Sequence, residues 1–184
     1  MIDELLEKMT STDQSRGLAY VYIDYKYQIQ QSTSSIVSCF LKQLAVRLDS
    51  EQPEIQDLQK KFRIKSKRPE LVDLMTTLDA LLQRFTSTYV IFDALDECDT
   101  MERVKVLKVI EKFAEAGVKV FATCRPHIRE VRHFFESRNA ITIPIKANTQ
   151  DIKNFLGIRV ERTIQSTSMK AKIANQLSLH AKGV

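Results

Sequence analysis

Four short runs of β-branched and aromatic residues constrain the fold more than any other feature: 18–24 (LAYVYID), 89–93 (YVIFD), 118–123 (VKVFAT) and 141–145 (ITIPI). They are apolar almost without interruption rather than alternating. That pattern suits strands covered on both faces, as in a parallel sheet flanked by helices. Helical spacing fills the intervals. Leu71, Leu74, Met75, Leu78, Leu81, Leu82 and Phe85 recur at steps of three and four, with Pro69, Glu70 and Asp73 suited to a first turn. Ile36, Val37, Phe40, Leu41, Leu44 and Leu48 form a second stripe, after a Ser/Thr cluster at 32–35 that offers N-caps. A third helix is announced by Asp99 and Glu102, carries Val104, Leu107, Ile110 and Phe113, and stops at Gly117. A fourth starts at Pro126 and buries Ile128, Val131 and Phe135, and further helices are expected over 2–9, 149–162 and 168–180. Alternating strands and helices predict an open, mainly parallel α/β sheet with right-handed crossovers, followed by a C-terminal helical extension.

A chain of 184 residues, 43% apolar and 28% charged, suits one globular core plus a short appendage. The expected division is 1–147 for the α/β core and 148–184 for the start of a helical subdomain. The excess of 28 Lys and Arg over 23 Asp and Glu makes the surface mildly basic, less so than in a dedicated nucleic-acid protein. Cys39, Cys98 and Cys124 are odd in number and widely spaced, which supports neither a disulfide framework nor a CxxC metal site and favours a reducing compartment. No apolar run approaches the roughly 20 residues of a membrane span, and the first eight residues mix acids into their apolar positions, unlike a signal peptide. A soluble, cytoplasmic protein without membrane partners is expected.

Glycine is scarce. Gly17, Gly117, Gly157 and Gly183 are the four, and none precedes a lysine. Neither a GxxxxGK[ST] phosphate loop nor a GxGxxG dinucleotide loop lies within these residues. The stretch 60–68 (KKFRIKSKR) holds six basic residues in nine. It reads as a solvated connector between two helices or, alternatively, as a patch for phosphate or an acidic partner.

Chemistry concentrates at 89–99, YVIFDALDECD, where Asp93, Asp96, Glu97 and Asp99 follow a buried run. In an open parallel sheet, ligands bind beyond the C-terminal ends of strands. One carboxylate there can hold Mg²⁺ through its water shell, and a second can orient or deprotonate an attacking water. Asp93 takes the metal role in this reading, and Glu97, with Asp96 beside it, the base role. The alternative is that these acids cap a helix N-terminus, which accounts for Asp99 and in part Glu97 but poorly for Asp93. About thirty residues on, Ala122-Thr123-Cys124-Arg125-Pro126 ends a second strand. Thr123 could hydrogen-bond the attacking water and Arg125 could meet the outermost phosphate with its guanidinium fork; Arg125 could equally serve only to neutralise Asp93 or Asp96.

FDALDE at 92–97 followed by TCRP at 123–126 resembles the Walker B and sensor 1 pair of NACHT-type P-loop NTPases. That signal-transducing (STAND) class includes many fungal nephrocystin-like N-terminal domains. The order of elements is similar too: IDELLE resembles the helix after the phosphate loop, AYVYIDY the second strand and IVSCFLKQLAVRL the helix beyond it. The helix over 71–85 and the DIKNFL segment also fall in the family's order. Cys124 stands where serine is more usual.

The resemblance implies that residues 1–147 are a partial P-loop NTPase core running from the helix after Walker A. The first strand and Walker A loop would precede residue 1, in the middle of the sheet between the sensor strand and the last strand. Runs 118–123 and 141–145 would then be unpaired along one edge or paired with each other, and an unpaired edge invites association with another chain. It further implies that the parent protein binds and hydrolyses ATP or GTP with Mg²⁺ as a conformational switch, through Asp93, Asp96, Glu97, Thr123 and Arg125. This chain alone is expected to bind nucleotide weakly or not at all. The competing expectation is a non-catalytic interaction or scaffold module with a vestigial nucleotide site and protein partners. Nucleic-acid binding through 60–68 ranks last, because few exposed aromatics accompany those charges.

Overall fold

The computed structural model describes residues 15–48, 51–65 and 67–145, with 154, 155, 158, 159, 169, 170, 172, 173 and 176. The chain forms two compact units, Met1–Asn139 and Ala140–Val184. In the first, β1 (Arg16–Tyr22), β2 (Ser87–Asp93) and β3 (Lys119–Ala122) form a parallel sheet in the order β1-β2-β3. The α-helices are α1 (Thr33–Val46), α2 (Pro53–Lys65), α3 (Leu71–Leu82), α4 (Thr100–Glu115) and α5 (Arg129–Glu136). The molecule is thus α/β, with an open parallel sheet flanked by helices, as the apolar runs predict. The register aligns Tyr22 with Asp93 and Phe92 with Ala122, so the C-terminal ends of adjacent strands lie side by side.

One face of the sheet supplies Ala19, Val21, Val90 and Phe92 to the main core with α1, α3 and α4; Leu18 and Ile91 form a smaller cluster with Tyr20 and Tyr89. Phe40, Phe92 and Phe113 meet at ring-centroid distances of 5.3 to 6.4 Å and are essentially buried, which ties α1, β2 and α4 together at the residue before Asp93. Glycine matters at two places. A Cβ on Gly17 would stand 2.9 Å from Leu44 Cδ2 and from Thr88 Oγ1, so only glycine lets β1 approach α1 and β2 so closely. Gly117 has φ +76 and ends α4 in the left-handed conformation, as expected of a helix stop.

The caps form largely where local sequence places them. Ser32 accepts from the Ser35 N–H at the start of α1, Asp73 Oδ2 accepts from the Glu70 N–H at the start of α3, and Asp99 accepts from Met101 and Glu102 at the start of α4.

Four expectations are corrected. Residues 141–145 form no strand, and Ile141, Ile143 and Ile145 are exposed. A strand needs a neighbour for its N–H and C=O groups, and Pro144 withholds a donor. The basic run is not a connector throughout, because α2 extends through Lys65. Ile55 and Leu58 pack on the core along one side of this helix, and Lys61 Nζ pairs with Asp73 at 2.7 Å. In α4 the buried residues are Arg103, Val106, Leu107, Val109, Ile110 and Phe113, whereas Val104 is exposed. Finally, α5 starts at Arg129 rather than Pro126, since Pro126 and His127 turn the chain and Ile128 is the extended N-cap.

The helix expected over 2–9 lies outside the described residues. Within the runs 149–162 and 168–180, residues 154, 155, 158, 159, 169, 170, 172, 173 and 176 are helical. Among the described residues, no helix is long and apolar enough to cross a membrane.

Candidate functional site at the carboxyl ends of β2 and β3

Strand β2 carries the chain through the core and delivers Asp93 at its end. Ala94 then takes φ 60, ψ 53, a left-handed conformation that costs a non-glycine residue about 1 kcal/mol or more. That reversal returns Leu95 to the core, where it is fully buried, and starts a short 3-10 turn, Leu95–Glu97, that presents two acids.

The end of β3 locks onto this turn. Thr123 N–H donates to the Phe92 carbonyl at 2.9 Å, and Leu95 N–H donates to the Thr123 carbonyl at 2.9 Å. The Thr123 hydroxyl donates to Asp93 Oδ1 at 2.5 Å and accepts from the Ala94 N–H at 2.8 Å. The Asp93 carboxylate is therefore approached by a hydroxyl.

Arg125 turns to the next two acids. Its N–H donates to Asp96 Oδ1 at 3.2 Å, its Nε lies 3.3 Å from Asp96 Oδ2, and a terminal nitrogen lies 3.9 Å from Glu97 Oε1. The Asp96 side chain is 8% exposed and the Arg125 side chain 67%. Asp96 is thus a clamp between two strand ends, held through both carboxylate oxygens. Glu97 is more open at 26%, with Oε2 accepting from the Tyr25 N–H at 3.2 Å. Asp93, Asp96, Glu97, Thr123 and Arg125 are thus brought together at one rim of the sheet. Asp99 is apart from them in role, being the N-cap of α4.

Several contributors escape sequence reasoning. The loop after β1 reaches over the turn, with Tyr25 N–H on the Glu97 carboxylate and Gln28 Nε2 donating to the Glu97 carbonyl at 2.9 Å. Arg103 is 8% exposed and donates to the carbonyls of Asp96 (3.2 Å) and Cys98 (2.7 Å), while pairing with Glu130 of α5. Its signal was an arginine in register with the apolar stripe of α4. Glu102 crosses to α1, accepting from the Thr33 N–H at 2.6 Å and the Thr33 hydroxyl at 2.7 Å, and pairs with Lys105 at 2.6 Å. The Lys105 hydrogen bond first, and those from Thr33, hold its carboxyl down at about 2 against the opposing effect of partial burial. Burial pushes the Cys98 and Cys124 thiols up to about 11.

Ala94, Asp96, Glu97, Thr123, Cys124, Arg125 and Pro126 line an open depression of about 330 Å³, and Asp93 adjoins it through its hydrogen bond to Thr123. Among the described residues no group of three or more His, Cys, Asp and Glu side chains is arranged to hold a metal ion. The donors do fit Mg²⁺, which keeps several waters and takes one or two carboxylates together with phosphate oxygens rather than an all-protein cage. An arginine and a hydroxyl facing two or three carboxylates can bind a phosphate oxygen and orient or deprotonate a water.

A family model described as "Nephrocystin 3, N-terminal" matches residues 1–125. The matched span contains the three strands of the described residues and the acidic turn, and its last residue is Arg125. Comparison with curated proteins and with solved structures finds no match.

Proposed function

The chain belongs to the nephrocystin 3 N-terminal family, and from that premise we propose that it is part of the nucleotide-binding module of a NACHT-type signal-transducing P-loop NTPase. The observation that carries the reading is the convergence of Asp93, Thr123, Asp96, Glu97 and Arg125 beyond the ends of two adjacent parallel strands. In this module Asp93 is the Walker B carboxylate toward Mg²⁺, and Thr123 and Arg125 are the sensor 1 pair. Bound Mg²⁺ supplies charge neutralisation at the nucleotide phosphates. Thr123 fixes the orientation of the Asp93 carboxylate and Asp96 fixes Arg125. Glu97, the more open acid, accepts the proton of the attacking water. Arg125 is exposed enough to leave Glu97 for the outermost phosphate of ATP or GTP.

The parent protein binds and hydrolyses nucleotide as a conformational switch that controls its assembly, in the cytoplasm. The 184 residues contain no GxxxxGK[ST] loop, and the backbone N–H cradle and lysine of that loop supply much of the phosphate affinity. The isolated chain is therefore inactive and binds nucleotide weakly.

Asp93→Asn in the full-length parent tests this. Loss of nucleotide-dependent assembly is expected, with the fold retained. Unchanged assembly would instead favour a scaffold module with a vestigial site, a reading supported by the pairing of Arg125 with Asp96 and Glu97. Calorimetry of the isolated chain with ATP and Mg²⁺ should give no micromolar binding.

A further inference from the structure

Among the described residues Arg103, 8% exposed, is the one charged residue buried over backbone and side chain together. Burying a guanidinium is costly unless its donors are satisfied, and its planar fork can engage several acceptors at once in a fixed geometry. One terminal nitrogen of Arg103 donates to the carbonyls of Asp96 and Cys98, at 3.2 and 2.7 Å, and the other is paired with Glu130. Its Nε is buried without a hydrogen-bond partner, so the guanidinium is placed for these contacts even at the expense of its remaining donor.

The two carbonyls bracket Glu97. A group that holds both fixes the direction in which the Asp96 and Glu97 side chains leave the turn. Glu130 lies on α5, the helix that follows the Arg125 loop. The same guanidinium therefore links the element that carries the acids to the element that follows their arginine.

We propose that Arg103 is a positioning residue for the acidic turn, with Glu130 as its counter-anchor, so that the turn and α5 hold the Asp96 and Glu97 carboxylates in register with Arg125. The catalytic meaning of that register rests on the nucleotide-binding reading above; the clamp itself does not. Lysine cannot substitute, because a single ammonium lacks the fork that spans two carbonyls and a carboxylate.

Site-resolved amide exchange on this chain tests the clamp. In Glu130→Ala, a change at a half-exposed side chain that should leave the fold intact, the Glu97, Cys98 and Arg125 N–H groups should exchange roughly tenfold faster, with α1 and α3 unchanged. The Arg125 N–H reports directly on the Asp96 carboxylate that accepts from it. Glu130→Gln, which keeps an acceptor, should restore part of the protection. Arg103→Lys should open the same three amides; if it fails to fold, the Glu130 pair decides. No change at those amides, or equal acceleration throughout the core, overturns the proposal.

In the full-length protein, Glu130→Ala should lower kcat about tenfold and leave nucleotide Kd unchanged. Unmoved kcat, or loss of both together, overturns the positioning role. Absence of turnover in the unaltered full-length protein would reject the nucleotide reading instead, and the exchange experiment would still decide the clamp.

Discussion

Thr123 Oγ1 stands 2.5 Å from Asp93 Oδ1 and 2.8 Å from the Ala94 amide nitrogen, so one hydroxyl ties the end of β2 to the residue that follows β3. Thr123→Val keeps the shape and removes the donor and acceptor, leaving the Ala94 N–H and the Asp93 carboxylate without this partner. The expected loss is about 1–3 kcal/mol in urea unfolding, with Thr123→Ser restoring most of it.

Ala94 holds its left-handed conformation against the clash of its Cβ. Ala94→Gly removes that clash and also loosens the unfolded chain, and the first effect should be the larger. A gain of about 0.5–1 kcal/mol is expected, read as a higher urea midpoint with an unchanged slope.

Glu102 ties the first turn of α1 to α4, and its carboxyl titrates at about 2 rather than the ordinary 4.5. A depressed carboxylate binds its proton less readily in the folded state, so its stabilisation is present above pH 4.5 and is lost as pH falls from there toward 2. With solvent screening of its partly exposed side chain, the loss should be of the order of 1–2 kcal/mol. Unfolding followed from pH 6 to pH 3 should show a shallower acid decline in Glu102→Gln than in the unaltered chain.

Cys98 and Cys124 have thiols near 11 because burial disfavours the thiolate. At pH 8 only about one in a thousand of either is ionised. Both should resist an alkylating reagent in the folded chain and react in urea, a contrast that mass spectrometry resolves site by site.

Asp96 and Glu97 are neighbours with different expected failures. The Asp96 side chain is largely covered and bonded through both oxygens to Arg125, so Asp96→Ala should destabilise the chain by about 2–3 kcal/mol and free the Arg125 loop. Glu97→Gln should alter stability by less than about 1 kcal/mol and, under the nucleotide-hydrolysing function proposed above, should remove turnover in the full-length protein. Urea unfolding of both variants beside nucleotide hydrolysis in the parent separates the two.

Much of this arrangement is local and therefore legible in sequence. Continuous apolar runs fix three strands, Ser32 and Asp99 mark helix starts because their side chains cap free N–H groups, and Gly117 marks a stop because it tolerates φ +76. The acids at 93–97 were visible as charges that abut a buried run. Run 141–145 has the composition of a strand, yet composition cannot supply a partner strand. Helix α2 was obscured by its lysines and arginines, since only a thin apolar side touches the core.

Which acid meets which partner was decided only in three dimensions. Arg125 pairs with Asp96 and Glu97 while Thr123 takes Asp93; Tyr25 N–H reaches Glu97 across 72 positions of sequence; and Arg103 turns inward onto the Asp96 and Cys98 carbonyls. Periodicity and capping act over three or four residues and were determined by the sequence itself. Contacts between strand ends depend on register and on the reversal at Ala94, and these emerge only when the sheet and its helices pack together.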